Sequence, residues 1–260
     1  IGRNIISDLT PLASLTALLS LDASENQITQ LTPLVNLTAL EIAKLSSNQI
    51  SDISPLAGLT GLKYVYLNDN LISDLSDLGG LVALEDLRLN GNAVSNLSPL
   101  APLSLKRLFL NNNQITSIQP LSAMLSLTEL QLSDNQIADI SPLSSMTSMV
   151  SLYLARNQIS DISALENITG LISLSLAGNQ ISDISPLSGM TGMFFLDVSA
   201  NLFTSVDSLS NMASLSFLLL DRNALSDISP LAGLNSLSTL RLSSCLITDL
   251  SPLAMLISLN

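Results

Sequence analysis

The chain has 260 residues, 47% of them hydrophobic, a net charge of −12, and neither histidine nor tryptophan. That acidity argues against a nucleic-acid backbone or an anionic membrane surface as partner, because both attract basic patches. A lone cysteine, Cys245, excludes an intrachain disulfide framework, and no uninterrupted apolar run approaches the roughly 18 residues of a membrane span.

Two segments carry the organising pattern: LEIAKLSSNQISDISPLAGLTG from Leu40 and LISLSLAGNQISDISPLSGMTG from Leu171. Both have 22 residues, apolar at positions 1, 4, 6, 11, 14, 17 and 20. Position 9 is Asn4, Asn26, Asn48, Asn70, Asn92, Asn113, Asn135, Asn157, Asn179, Asn201 and Asn223, with Cys245 in the twelfth place. The step is 22 throughout, except 21 between Asn92 and Asn113. Such repeats grow by stacking rather than around one centre. The reading is a single domain over residues 1–260, of about 12 repeats.

Followed along one repeat, the first predicted element is a short strand over positions 3 to 7. Positions 4 and 6 point inward, and 3, 5 and 7 outward. Successive strands stack in parallel at roughly 4.8 Å. The chain then turns at position 9, where a buried amide can both donate to and accept from unpaired backbone. Asn26, Asn48, Asn70, Asn92, Asn113, Asn135, Asn157, Asn179, Asn201 and Asn223 are therefore expected to form a structural ladder. Cys245 should hold its turn more weakly.

Position 13 comes next, and is aspartate at Asp8, Asp52, Asp74, Asp139, Asp161, Asp183, Asp227 and Asp249. A carboxylate column could hold calcium, but the glycine-rich nonapeptides of calcium-binding solenoids are absent. Capping of the local turn is the reading preferred, with no metal site and no cofactor. Proline at position 16, preceded mostly by Ser or Thr, marks a helical start with Ser as cap. Only about six residues follow before the next strand, which leaves room for a 3₁₀ turn and not an α-helix.

The outward positions 2, 3, 5, 7 and 8 hold all nine basic residues and seven of the eight aromatics. Tyr, Phe and Arg supply the rigid area and bidentate hydrogen bonds that dominate protein interfaces. One cluster gathers Tyr64, Tyr66, Arg88, Arg107, Phe109 and, further along, Tyr153 and Arg156. A second gathers Phe194, Phe195, Phe217, Arg222 and Arg241, with Leu219 beside them. A protein partner follows from these two clusters, and a glycan is the alternative. Catalysis finds no support: there is no histidine base, Cys245 falls in a core column, and paired acids such as Glu85 and Asp86 lack an apolar pocket to raise a pKa. The Asn-x-Ser/Thr tripeptides at Asn36, Asn96 and Asn167 have meaning only in a glycosylating secretory pathway.

The column pattern matches L-x-x-L-x-L-x-x-N/C-x-L, the leucine-rich repeat, and "NQISDISPLAGLT" resembles the repeat of the bacterial internalin family. The resemblance implies an α/β leucine-rich-repeat solenoid, right-handed, with a parallel sheet on the concave face and turns and short 3₁₀ helices on the convex face. It also implies a secreted or cell-surface adhesin or invasin that holds a partner protein on the concave β-face. A structural or self-associating surface element, or a glycan-binding module, are the alternatives. The sequence runs from repeat position 6 at Ile1 to position 2 at Asn260. It is read as a fragment lacking both caps, with flanking domains in the same chain.

Overall fold

The computed structural model of the chain describes residues 1–259. They fall into two compact units, Ile1–Gln131 and Leu132–Asn260. The first unit carries the strands β1 (Ser20–Asp22), β2 (Ile42–Lys44), β3 (Tyr64–Tyr66), β4 (Asp86–Arg88), β5 (Arg107–Phe109) and β6 (Glu129–Gln131). The second carries β7 (Ser151–Tyr153), β8 (Ser173–Ser175), β9 (Phe195–Asp197), β10 (Phe217–Leu219) and β11 (Thr239–Arg241). Within each unit every strand pairs in parallel with the next in chain order, without a crossover. Each strand occupies positions 3 to 5, shorter than the expected 3 to 7, although inter-coil backbone bonds run on past it, as from the Leu45 N–H to the Tyr66 carbonyl at 2.8 Å.

The apolar columns form the core as their spacing demands. In the repeat from Leu171, the side chains of Leu171, Leu174, Leu176, Ile181, Ile184, Leu187 and Met190 are all buried. After the turn, each coil makes a short 3₁₀ segment, such as Thr10–Leu12, Ser54–Leu56 or Ser185–Leu187. The cap differs from the expectation. Serine or threonine is the first residue of the turn, and the aspartate two residues earlier accepts its N–H: Asp183 Oδ1 from Ser185 at 2.8 Å, Asp52 Oδ1 from Ser54 at 2.9 Å. The shorter Ser hydroxyl instead donates to the other carboxylate oxygen, as from Ser185 to Asp183 Oδ2 at 2.9 Å. Asn96 performs the same capping where the column departs from aspartate. These bonds hold the Asp52, Asp139, Asp161, Asp183, Asp227 and Asp249 carboxyls below the usual carboxylate range.

The asparagine column bonds as the sequence suggests. Asn179 Nδ2 donates to the Leu176 carbonyl of its own coil at 2.9 Å and to Leu154 of the preceding coil at 3.0 Å, while Oδ1 accepts the Ile159 N–H at 3.0 Å. Asn48 repeats this with Leu45, Ala23 and Ile28. Cys245 is half-buried and not in the core, and its thiol donates to the Leu220 carbonyl at 3.4 Å.

The residue before that column is left-handed in every coil, from Arg3 at φ 59° to Ser244 at φ 60°, yet only Gly91 and Gly178 there are glycines. An L-residue in that region costs roughly 1 kcal/mol, so the asparagine bonds hold the backbone in a conformation most of these residues resist.

Three outcomes follow. Asn179→Ala leaves the Ile159 N–H unpaired, while the Leu154 and Leu176 carbonyls keep their bonds from Asn157 and Asn201, and should lower unfolding stability by on the order of 2 kcal/mol in urea titration. Ala200→Gly removes the left-handed penalty at φ 53° and should raise stability by about 0.5–1 kcal/mol. For the capping aspartates, a depressed carboxyl pKa adds stability that is complete above the unfolded value near about 4 and is lost as pH falls through the folded value. Combined Asp→Asn changes at Asp52, Asp139, Asp161 and Asp183 should lower neutral-pH stability slightly, since an amide accepts the same bond without the charge, as Asn96 does, and flatten the loss of stability below about pH 4.

Candidate functional site

In the first unit, register brings outward residues of neighbouring strands side by side. Tyr64 faces Asp86, which faces Arg107, and Tyr66 faces Arg88, which faces Phe109. Asp86 is the hub. Its side chain is only 1% exposed, though it stands on an outward column. Arg88 donates to it through Nε at 3.1 Å and Nη2 at 3.0 Å, Arg107 Nη2 lies 3.0 Å away, and the Tyr66 hydroxyl is at 3.4 Å. The Arg88 guanidinium is sandwiched between aromatic faces, 4.3 Å from the Tyr66 ring centroid and 4.7 Å from that of Phe109. The Asp86 bonds push the Arg88 pKa up, and burial, with the Asp86 charge, does the same to the Tyr66 phenol.

This geometry changes the standing of several residues. Phe109 is 6% exposed. It is a wall that fixes Arg88 and offers a partner little area of its own. Tyr64, Tyr66, Arg88 and Arg107 remain half-exposed on the surface. Asp86 was not singled out by its residue type. Only laying adjacent repeats in register shows that one carboxylate lies beside two arginines and a tyrosine.

In the second unit, Phe194 and Phe217 meet edge to face with ring centroids 5.4 Å apart. They stay 47% and 36% exposed, and Val150 and Ile172 continue the apolar row. Phe195 pairs in register with Phe217 and is half-buried. Tyr153 hydrogen bonds the Ser173 hydroxyl at 2.8 Å, and Arg156 is ion-paired with Asp134. Arg241 pairs with the largely buried Asp221 at 2.8 Å, and Arg222 is exposed with no ion pair among the described residues.

Most of the cations are thus engaged. Arg3, Lys63, Lys106 and the four arginines Arg88, Arg107, Arg156 and Arg241 each pair with a carboxylate. The basic residues of the sheet face are positioned groups rather than a diffuse positive field. Among the described residues no group of three metal-ligating side chains occurs, and no helix is long and apolar enough to cross a membrane.

Coils of 22 residues, each faced by a three-residue parallel strand and closed by an asparagine bonded across coils, define a leucine-rich-repeat protein. The family model for leucine-rich repeats in two copies matches residues 38–79, 60–102 and 125–167. An internalin of Listeria monocytogenes, InlF, is 35% identical over 99% of this chain and 84% of its own, with a TM-score of 0.85. Internalin C2 of the same organism is 34% identical over 72% of this chain and 83% of its own, with a TM-score of 0.70. The chain belongs to the internalin family. The Arabidopsis receptor kinase HAESA, solved with the peptide hormone IDA and the co-receptor SERK1, shares the fold at 23% identity, covering 92% of this chain and 44% of that one with a TM-score of 0.80. No curated protein matches the sequence.

The Asp86 hub predicts a non-additive response. Arg107→Ala leaves Asp86 with its bidentate Arg88 partner and should cost under about 1 kcal/mol. Removing both arginines strands a buried carboxylate and should cost about 3–5 kcal/mol, more than the two single losses combined. Urea denaturation of the two single variants and the double variant measures the coupling.

Proposed function

We propose that the chain is a non-enzymatic recognition module that binds a partner protein through its sheet face, as one leucine-rich-repeat domain of a secreted or cell-surface bacterial protein. One observation carries this reading. Aromatic and cationic side chains of the outward strand positions are held in place by their neighbours, Arg88 by Asp86, Tyr66 and Phe109, and Tyr153 by Ser173. Side chains fixed before binding lose little entropy on binding, which is how a small number of residues come to dominate an interface. The turn side offers no such groups, since its aspartates are committed to backbone caps. The peptide-hormone complex of HAESA supports the reading as an example of the fold engaging a polypeptide.

A second reading, self-association, is favoured by the exposed row of Val150, Ile172, Phe194 and Phe217, since contiguous exposed apolar area marks contact surfaces. Light scattering at increasing protein concentration separates the two, because self-association raises the mean mass and partner binding leaves it monomeric.

The binding reading is tested by capture of partner proteins on three immobilised forms. These are the native chain, Tyr64→Ala/Tyr66→Ala, and the turn-side control Asp52→Asn/Asp183→Asn. Retention should drop at least about tenfold for the tyrosine variant and stay unchanged for the control. Equal retention on all three would overturn the sheet-face assignment.

A further inference from the structure

We infer that the patch on β2 to β5 receives a carboxylate of the partner polypeptide, an acidic side chain within an otherwise apolar segment. This rests on the sheet face being the binding surface. At the edge of the patch, Lys63 pairs with Glu41 at 3.0 Å and Lys106 with Glu85 at 2.8 Å, so those charges cancel locally. Inside it, Arg88 and Arg107 share the single carboxylate Asp86, while Asp22 stands in register with Lys44 and Glu129 with Arg107 at the two borders. Asp69 lies at the turn, outside these strands. The two guanidiniums of Arg88 and Arg107 therefore carry one more charge than the carboxylate they share.

The guanidinium pair is also directed. Asp86 is sealed beneath the arginines, so it draws both guanidiniums to one place without itself facing solvent. Its hydrogen bonds use Nε and Nη2 of Arg88, and the side chains of Arg88 and Arg107 stay 34% and 42% exposed. Nη1 of each guanidinium has no hydrogen-bond partner among the described residues and is left to bond a second carboxylate arriving from solvent. Lys44 makes no ion pair among the described residues and stands on β2 in the column of Tyr66 and Arg88. The rings of Tyr64 and Tyr66 border the site and supply apolar area for residues flanking the acid. Guanidinium pairs bind carboxylates bidentately and with defined orientation, and a charge met on such a prepared site contributes specificity as well as affinity.

The test is selection of a random linear peptide library displayed on phage against the immobilised native chain. Selected peptides should be enriched in Asp or Glu beside aliphatic or aromatic residues. A synthetic peptide from the selection should lose about tenfold or more in affinity when its acid is changed to the amide. Lys44→Gln/Arg107→Gln keeps the Asp86–Arg88 pair, and so the fold. It should weaken the acidic peptide by a similar factor and leave its amide form unaffected. Selection without acidic enrichment, or an acidic peptide indifferent to Lys44→Gln/Arg107→Gln, overturns the inference. If neutral peptides are selected and still lose binding on Tyr64→Ala/Tyr66→Ala, the sheet-face reading survives and the carboxylate site does not. If selected peptides ignore the tyrosine change, or none is selected, both readings fail.

Discussion

The bond network of one asparagine per coil is the constraint on which the rest of this protein depends. Asn179 is typical: its amide ties the end of its own strand to the coil before it and accepts an N–H from beyond that coil's turn. Paired backbone is what a tight buried turn otherwise lacks, and an unpaired buried group costs about as much as several ordinary bonds gain. With those groups satisfied, the chain tolerates a left-handed residue next to each asparagine of the column, and next to Cys245 in the last coil. The strand, the 3₁₀ turn and the apolar columns then fall into place at a fixed step.

A fixed step has a functional consequence. Once the inward columns are set by packing and the turn side by caps, sequence variation is free at the outward strand positions, which register sets beside one another. Side chains 21 or 22 residues apart become neighbours, and new arrangements arise from single changes in adjacent repeats. The Asp86 hub is of this kind. Its carboxylate comes from β4, one arginine from the same strand, the other from β5 and the tyrosine from β3. In the second unit, outward positions 2 and 3 of adjacent coils carry the Phe194–Phe217 pair instead.

Much of the architecture was legible in the sequence, because it is written in columns. The Asn179 ladder contacts, the burial of Leu174 and Leu176, and the 3₁₀ turn at Ser185–Leu187 follow from residue type and spacing. The left-handed position was not legible. Arg3, Glu25, Ser47 and Ala200 occupy it, and none has a propensity for that conformation, so the asparagine bonds outweigh local preference. Side-chain partnerships at the site were equally hidden. Phe109 reads as an outward aromatic and is covered by Arg88. Asp86 reads as a surface acid and is buried under two arginines. Both outcomes depend on cross-strand packing, which alternation along one strand does not encode.

Amide hydrogen exchange tests the central constraint most directly. The N–H groups of Ile28, Ile50, Ile159 and Ile181 are each donated to an asparagine Oδ1 of the following coil. If these bonds hold the coils together, those amides exchange only through global unfolding, in the slowest class of the protein. Exchange of these four at the rate of the solvent-exposed cap amides, such as Ser54 and Ser185, would show that the apolar columns alone carry the fold and that the asparagine ladder is incidental.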